Sequence, residues 1–191
     1  LDFRFNPETP KSAADVIAES SEEQLAELFW KYGEERLSGK AAHAIVRQRE
    51  KKPFTRTLDL VDCLEKIFPH KGGYPRNGIQ RIFQALRIFV NGELDNLQTF
   101  LSKIPEWLSE NGWVAVISFH SLEDRIVKET FQTWVETCIC PAGIPKCSCG
   151  RNPDFQWYGK KHYKPTQEEI SSNRRARSSI LRVVRKIEKE G

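Results

Sequence analysis

The stretch Trp113-Val-Ala-Val-Ile-Ser-Phe-His-Ser121 guides the interpretation of the rest of the chain. Its first five residues form a continuous apolar run, which is typical of a strand buried on both faces of a sheet. The polar residues from Ser118 end the strand, and Ser121 is expected to cap a helix over 122–135. A further helix is predicted before the strand, over 76–109. Helix, buried strand, polar turn and helix form half of a doubly wound α/β unit.

A second strand is predicted over 179–187, where the sequence Ser-Ile-Leu-Arg-Val-Val-Arg-Lys-Ile is rich in β-branched residues. Two strands do not make a doubly wound sheet, so further strands are expected outside these 191 residues. The composition agrees, because the chain contains no Met, although about four are usual at this length. We therefore expect that Leu1 is not the natural start.

The first part of the chain is predicted to be a bundle of four helices with short connections. Ser12, Ser21 and Thr57 stand at capping positions before apolar residues with helical spacing. Gly33 and Pro53 are helix-ending residues.

The composition indicates a globular protein with a basic C-terminal part. Hydrophobic residues make up 39% of the chain and charged residues 29%, and the sequence predicts no membrane span; from Leu1–Phe5 we expect no signal peptide. Residues 151–191 hold 11 of the 30 Lys and Arg but only 5 of the 26 Asp and Glu. This imbalance favours a polyanionic partner, although many basic stretches are only solvated surface.

The polar turn after the first strand is a candidate ligand site, because open α/β sheets bind ligands beyond the carboxyl ends of their strands. It holds Ser118, Phe119, His120 and Ser121. The alternative is a helix cap with a structural histidine. The sequence has no Gly-rich phosphate loop, so a nucleotide-type cofactor would be held mainly by residues outside this chain.

Four cysteines form a second candidate site, while Cys63 stands apart. The spacing of Cys138, Cys140, Cys147 and Cys149 allows one tetrahedral zinc site. The Cys-x-Cys pairs are tighter than usual and no histidine lies between them, so free thiols are the alternative.

A third candidate is the basic run Asn173-Arg-Arg-Ala-Arg-Ser178, with Trp157, Tyr158 and Lys160–Lys164 upstream. Cations interleaved with aromatic rings suit RNA, although a solvated edge is the alternative. Arg175 and Arg177 alternate with small residues before the last strand. We therefore expect their guanidinium groups to point to the same side.

Several motifs stand in an order that resembles one enzyme family, the small-subunit ribosomal RNA cytosine-N4 methyltransferases. The most specific is Val116-Ile-Ser-Phe-His-Ser-Leu-Glu-Asp-Arg-Ile-Val-Lys128, and the resemblance covers essentially the whole chain. The other motifs are Leu1-Asp-Phe-Arg4, Lys11-Ser-Ala-Ala-Asp15, Tyr32-Gly-Glu-Glu-Arg36, Arg81-Ile-Phe-Gln-Ala-Leu-Arg-Ile-Phe-Val-Asn91 and Arg175-Ala-Arg-Ser178.

This resemblance implies an incomplete Rossmann-like, S-adenosylmethionine-dependent methyltransferase domain of the α/β class with an inserted all-α helical domain. Residues 1–9 would end the first Rossmann-like half, residues 10–72 would be the insertion, and residues 73–191 would form the second half. The family's cofactor-binding segments would precede Leu1, so no cofactor-binding residue is assigned here.

The implied reaction is methylation of the exocyclic N4 of a cytidine in the decoding region of small-subunit ribosomal RNA. The catalytic candidates are Ser118, His120 and Asp2, and the RNA-binding candidates are Ser121, Arg125, Lys128, Asn173, Arg175 and Arg177. The expected partner is this RNA or the assembled small subunit, without a membrane, in the cytoplasm or an organellar matrix. The alternative function is a non-catalytic RNA-binding module made of the helical domain and the basic tail.

Overall fold

A computed structural model describes residues 1–68, 77–138, 140, 149–150 and 152–188. The chain divides into two compact units, Leu1–Glu93 and Leu94–Gly191. The predicted boundary at residues 72 and 73 falls in 69–76, outside the described residues. The three-part domain assignment stays a prediction.

The first unit is helical in its described parts. Ser12 and Ser21 cap their helices as predicted, because each hydroxyl accepts from the backbone N–H three residues later. The predicted Thr57 cap is wrong, since Arg56 occupies the N-cap position and Thr57 is already helical. The helices are α1 (Ala13–Glu19), α2 (Glu22–Gly33), α3 (Ser38–Arg49), α4 (Thr57–Glu65) and α5 (Asn77–Asn91).

The core of this unit lies between these helices. A Cβ on Gly33 would stand 2.8 Å from the carbonyl oxygen of Arg81, so this glycine allows α2 to approach α5 closely. The largest fully buried side chains of this unit are Phe29, Phe68, Ile17, Leu25, Ile45, Leu60, Leu64, Ile82, Leu86 and Ile88.

The second unit mixes helices and strands. The single helix predicted over 76–109 is wrong, because Gly92 at φ 58° separates two helices. A left-handed backbone favours glycine and ends a helix. After α5 the elements are α6 (Glu93–Trp107), β1 (Trp113–Ser118), α7 (Ser121–Val135), β2 (Phe155–Trp157), α8 (Gln167–Ser172), a 3₁₀ helix (Arg174–Ser178) and β3 (Ile180–Lys186).

The three strands form one sheet in the order β1-β3-β2. The β3 strand confirms the prediction of a strand over 179–187. It pairs antiparallel with both neighbours. With β1, the pairing runs from Trp113 opposite Arg185 to Ser118 opposite Ile180. The parallel pairing expected of a doubly wound sheet does not occur among the described strands. The β2 strand was not predicted, because three residues are too few for a recognisable alternation.

The prediction that β1 is buried on both faces is wrong for the part of the chain that the structure describes. Val114 and Ser118 are 7% and 2% exposed, whereas Trp113 and Ile117 are 47% and 57% exposed. One face packs against Phe131, Phe155 and other core residues. On the other face, the Trp113 ring packs edge-on against Tyr158 at 4.3 Å between centroids, and Ile117 remains largely exposed.

No helix among the described residues is long and apolar enough to cross a membrane.

Candidate functional site

The turn at the carboxyl end of β1 contains a buried hydroxyl group. Ser118 is 2% exposed, and its Oγ has no hydrogen-bond partner among the described residues. A buried polar atom without a partner costs about 1–3 kcal/mol. Such an atom at a strand end is a candidate for binding a ligand, since a ligand would supply the missing hydrogen bond.

His120 is the N-cap of α7. Its Nδ1 accepts from the backbone N–H of Glu123 at 3.3 Å, with extended backbone at φ −141°. The predicted Ser121 cap is therefore wrong by one residue, and Ser121 is the first helical residue. An imidazole nitrogen satisfies the free N–H here, a role that Ser and Asp fill more often.

This contact determines which nitrogen of His120 carries hydrogen. Because Nδ1 accepts, Nε2 is the protonated nitrogen of the neutral ring, and Nε2 lies 3.2 Å from Oε1 of Glu123. Neither nitrogen is then available to accept a hydrogen bond from a substrate. This arrangement favours Ser118 over His120 as an acceptor, while the catalytic role of both stays a prediction.

The Glu123 carboxylate completes the turn. Burial acts to raise its pKa, but the contact with His120 and a hydrogen bond from the Phe119 N–H at 2.9 Å outweigh burial. The net effect lowers the pKa of Glu123 below its usual value. The carboxylate is thus held ionised in the first turn of α7, where the helix dipole favours negative charge.

Asp2, the third catalytic candidate, lies in the first unit. Both of its oxygens accept from the Arg4 guanidinium, at 2.6 Å and 3.0 Å. The hydrogen bonds from Arg4 lower the pKa of Asp2 to about 2. Asp2 is therefore an ionised carboxylate above that pH.

Three of the predicted RNA-binding residues share one face of α7. Ser121, Arg125 and Lys128 are exposed, and their spacing of four and three residues places them in one row along the helix. Their role in binding RNA stays a prediction.

The predicted geometry of the arginine run is wrong. Residues 174–178 form a 3₁₀ helix rather than an extended segment, and Asn173 caps it by accepting from the Arg175 N–H at 3.2 Å. Side chains three residues apart eclipse in a 3₁₀ helix. Arg174 and Arg177 therefore share a side, whereas Arg175 points about 120° away. All three are exposed.

Sequence reasoning did not identify Arg182, which connects several parts of this region. Its guanidinium is 7% exposed and donates to both oxygens of Asp124 at 2.8 Å and 2.9 Å, and to the Lys161 carbonyl oxygen at 2.9 Å. The sequence around Arg182 indicates only a polar residue in an alternating strand. It does not indicate this ion pair, because the partners of Arg182 are distant in sequence.

The loop that holds Lys161 lies at the same end of the sheet as Ser118. Tyr163 exchanges two backbone hydrogen bonds with Leu181, at 2.8 Å and 2.9 Å. Leu181 directly follows Ile180, the residue that pairs with Ser118. Lys160, Lys161 and Lys164 are exposed. Basic side chains thus lie near the carboxyl end of β1.

The structure brings three of the four predicted zinc ligands together. The sulfur atoms of Cys138, Cys140 and Cys149 all lie within 4.8 Å of one another. Cys147 lies outside the described residues. Cys63 is buried in α4, in the first unit.

Comparison with known proteins identifies the family. Residues 1–187 match the model of the MraW methylase family. The chain is also 45% identical to proteins named "Ribosomal RNA small subunit methyltransferase H" from Carboxydothermus hydrogenoformans, Caldicellulosiruptor saccharolyticus and Treponema denticola, over 187 to 189 residues. Each match covers 98% of this chain and 60% or 61% of the relative. The chain thus spans about three fifths of the relatives' length, and it belongs to the MraW methylase family.

Proposed function

We propose that this chain is part of an S-adenosylmethionine-dependent methyltransferase that modifies the exocyclic N4 of a cytidine in the decoding region of small-subunit ribosomal RNA. The observation that carries this proposal is the similarity of residues 1–187 to the MraW methylase family. The relatives' printed name supports ribosomal RNA of the small subunit as the substrate. The reaction would take place where small subunits are assembled, which is the cytoplasm in a bacterium.

The chemistry requires help because the cytosine N4 amine is a weak nucleophile, with its lone pair delocalised into the ring. The cofactor supplies an electrophilic methyl group on a sulfonium. Methyl transfer would form a C–N bond at N4 as the S–C bond breaks, and one N4 proton would leave for an acceptor or for water. The protein's part is to hold the amine in line and to accept a hydrogen bond from its N–H. We assign no residue of this chain to the cofactor.

Ser118 is our choice for that acceptor. Its buried Oγ has no partner among the described residues, so it is able to accept from the N4 hydrogen. His120 and Glu123 then act as positioning residues, because they fix the first turn of α7 directly after Ser118. The target base would have to leave its stack to reach this turn.

The exposed cations of the second unit would hold the RNA backbone. Lys160, Lys161 and Lys164 lie at the end of the sheet where Ser118 stands, and the loop is anchored there by Arg182. Lys and Arg bind phosphates, which position the RNA without reading its sequence. The row on α7 and the arginines of the 3₁₀ helix would extend this contact.

The test is methyl transfer by the intact gene product. It is incubated with S-adenosylmethionine carrying a labelled methyl group and with small subunits that lack the modification. The RNA is then digested and its nucleosides are separated by mass spectrometry. We expect label in N4-methylcytidine.

Label at another atom would contradict the N4 assignment. RNA binding without any transfer would favour the alternative, a non-catalytic RNA-binding module. A catalytically neutral exposed variant such as Ser102→Ala serves as the control for protein handling, since Ser102 lies on the surface of α6.

A further inference from the structure

Three cysteine side chains converge between the end of α7 and the start of β2. Cys138 follows α7 by three residues, and Cys149 precedes β2 by six. The Sγ atoms of Cys138, Cys140 and Cys149 lie within 4.8 Å of one another, and those of Cys138 and Cys149 are 3.9 Å apart.

These distances match shared metal coordination. A disulfide needs a separation of about 2.05 Å, so Cys138 and Cys149 are not bonded to each other. Two sulfurs on one tetrahedral zinc ion, each about 2.3 Å from the metal, stand about 3.8 Å apart. The observed 3.9 Å agrees with that value.

The backbone around Cys138 supports a thiolate. The N–H of Cys140 donates to the sulfur of Cys138 at 3.4 Å. Hydrogen bonds to a ligating atom orient it and stabilise its negative charge. Cys140 therefore supplies a backbone donor to the Cys138 sulfur, and its own sulfur lies within 4.8 Å of that atom.

We propose that Cys138, Cys140 and Cys149 bind one zinc ion as thiolates. Three thiol protons leave for solvent as three Zn–S bonds form, which is why zinc affinity should fall with falling pH. Thiolates favour zinc over magnesium or calcium, which prefer oxygen ligands. The fourth position of the tetrahedron is not assigned, and Cys147 stays a sequence-based prediction for it.

The ion would have a structural role, separate from the proposed methyl transfer. It would connect the segment that follows α7 to the segment that leads into β2. Thiol ligands around a zinc ion contribute directly to folding stability.

The experiment measures metal content in the intact gene product purified without chelators. We expect about one zinc per chain by elemental analysis. Cys149→Ser should lower this content at least fivefold, whereas Cys63→Ser should leave it unchanged, since that buried thiol lies in the first unit. If the Cys149→Ser variant fails to fold, the test is instead to exchange cobalt(II) into the unchanged protein. Visible absorption bands of tetrahedral cobalt thiolate are then expected.

Three results would overturn the proposal. In the first, the purified protein holds no zinc and all its thiols react with a thiol reagent. In the second, it holds iron in place of zinc. In the third, Cys149→Ser leaves the zinc content unchanged. If the intact gene product holds about one zinc per chain but transfers no methyl groups, only the proposed function is contradicted.

Discussion

The guanidinium of Arg182 and the carboxylate of Asp124 form a two-pronged ion pair that joins β3 to the first turn of α7. Both side chains are largely buried, at 7% and 16% exposed. Removing one member of such a pair leaves the other charge buried and uncompensated. The pair therefore holds α7, and with it the turn after β1, against the sheet.

We expect Asp124→Asn to lower the free energy of unfolding by about 3 kcal/mol, because Arg182 then loses its compensating charge. Urea unfolding followed by circular dichroism measures this change. Glu129→Gln is the matched control, since Glu129 is an exposed acid on the same helix, and it should change the value by less than about 0.5 kcal/mol. Equal effects of the two variants would show that the ion pair contributes nothing specific.

The cap of α7 gives a second prediction. His120→Ala should cost about 1 kcal/mol of stability, whereas His120→Asn should cost much less, because an Asn side chain also accepts from the Glu123 N–H. Thermal unfolding compares the two variants. Ser121→Ala should be milder than His120→Ala, and the reverse order would restore Ser121 as the cap.

Much of the local structure could be predicted from the sequence, because the signals were local. Ser12 and Ser21 cap their helices, and the β3 strand lies within its predicted range. The failures arose where tertiary contacts decide. His120 rather than Ser121 caps α7, because the extended backbone after β1 continues for one residue more.

In the candidate site, too, local features were predictable from the sequence and tertiary contacts were not. Ser118 and His120 were predicted from their position at a strand end, which the local pattern reveals. The contribution of Arg182 was not predictable, because its partners Asp124 and Lys161 lie 58 and 21 residues away in sequence. The 3₁₀ helix that contains Arg175 and Arg177 was not predicted. The alternation of Arg with small residues was interpreted as an extended segment, but the same residues also fit a short helix capped by Asn173.

The geometry of that helix changes the expected effect of arginine substitutions on RNA binding. Arg174 and Arg177 share a side, so the double change Arg174→Ala and Arg177→Ala should flatten the salt dependence of RNA affinity by about 1.4 units, at about 0.7 per phosphate contact. The double change Arg175→Ala and Arg177→Ala should flatten it by about half as much. Binding titrations at several salt concentrations measure both slopes. Equal slopes for the two variants would contradict the shared side.

Acid stability gives a fourth prediction, at the start of α4. Hydrogen bonds from Arg56 lower the pKa of Asp59 from 3.8 to about 2. A folded-state pKa below the unfolded value adds stability above the unfolded pKa, and that stability is lost as the pH falls through the folded pKa. Asp59→Asn should therefore reduce the loss of thermal stability between pH 4 and pH 2. Asp62→Asn, an exposed change on the same helix, is the control, and an identical pH profile for Asp59→Asn and the unchanged protein would contradict the assignment.

The most direct test of the central claim, that the turn after β1 carries the methyl-transfer chemistry, is the single-turnover rate of Ser118→Ala in the intact gene product. Because Ser118 Oγ has no partner among the described residues, its removal should leave the free energy of unfolding unchanged or higher. The rate of methyl transfer should nevertheless fall by about tenfold or more, with RNA affinity nearly unchanged. A Ser118→Ala protein that folds normally and transfers methyl groups at the unchanged rate would contradict the account.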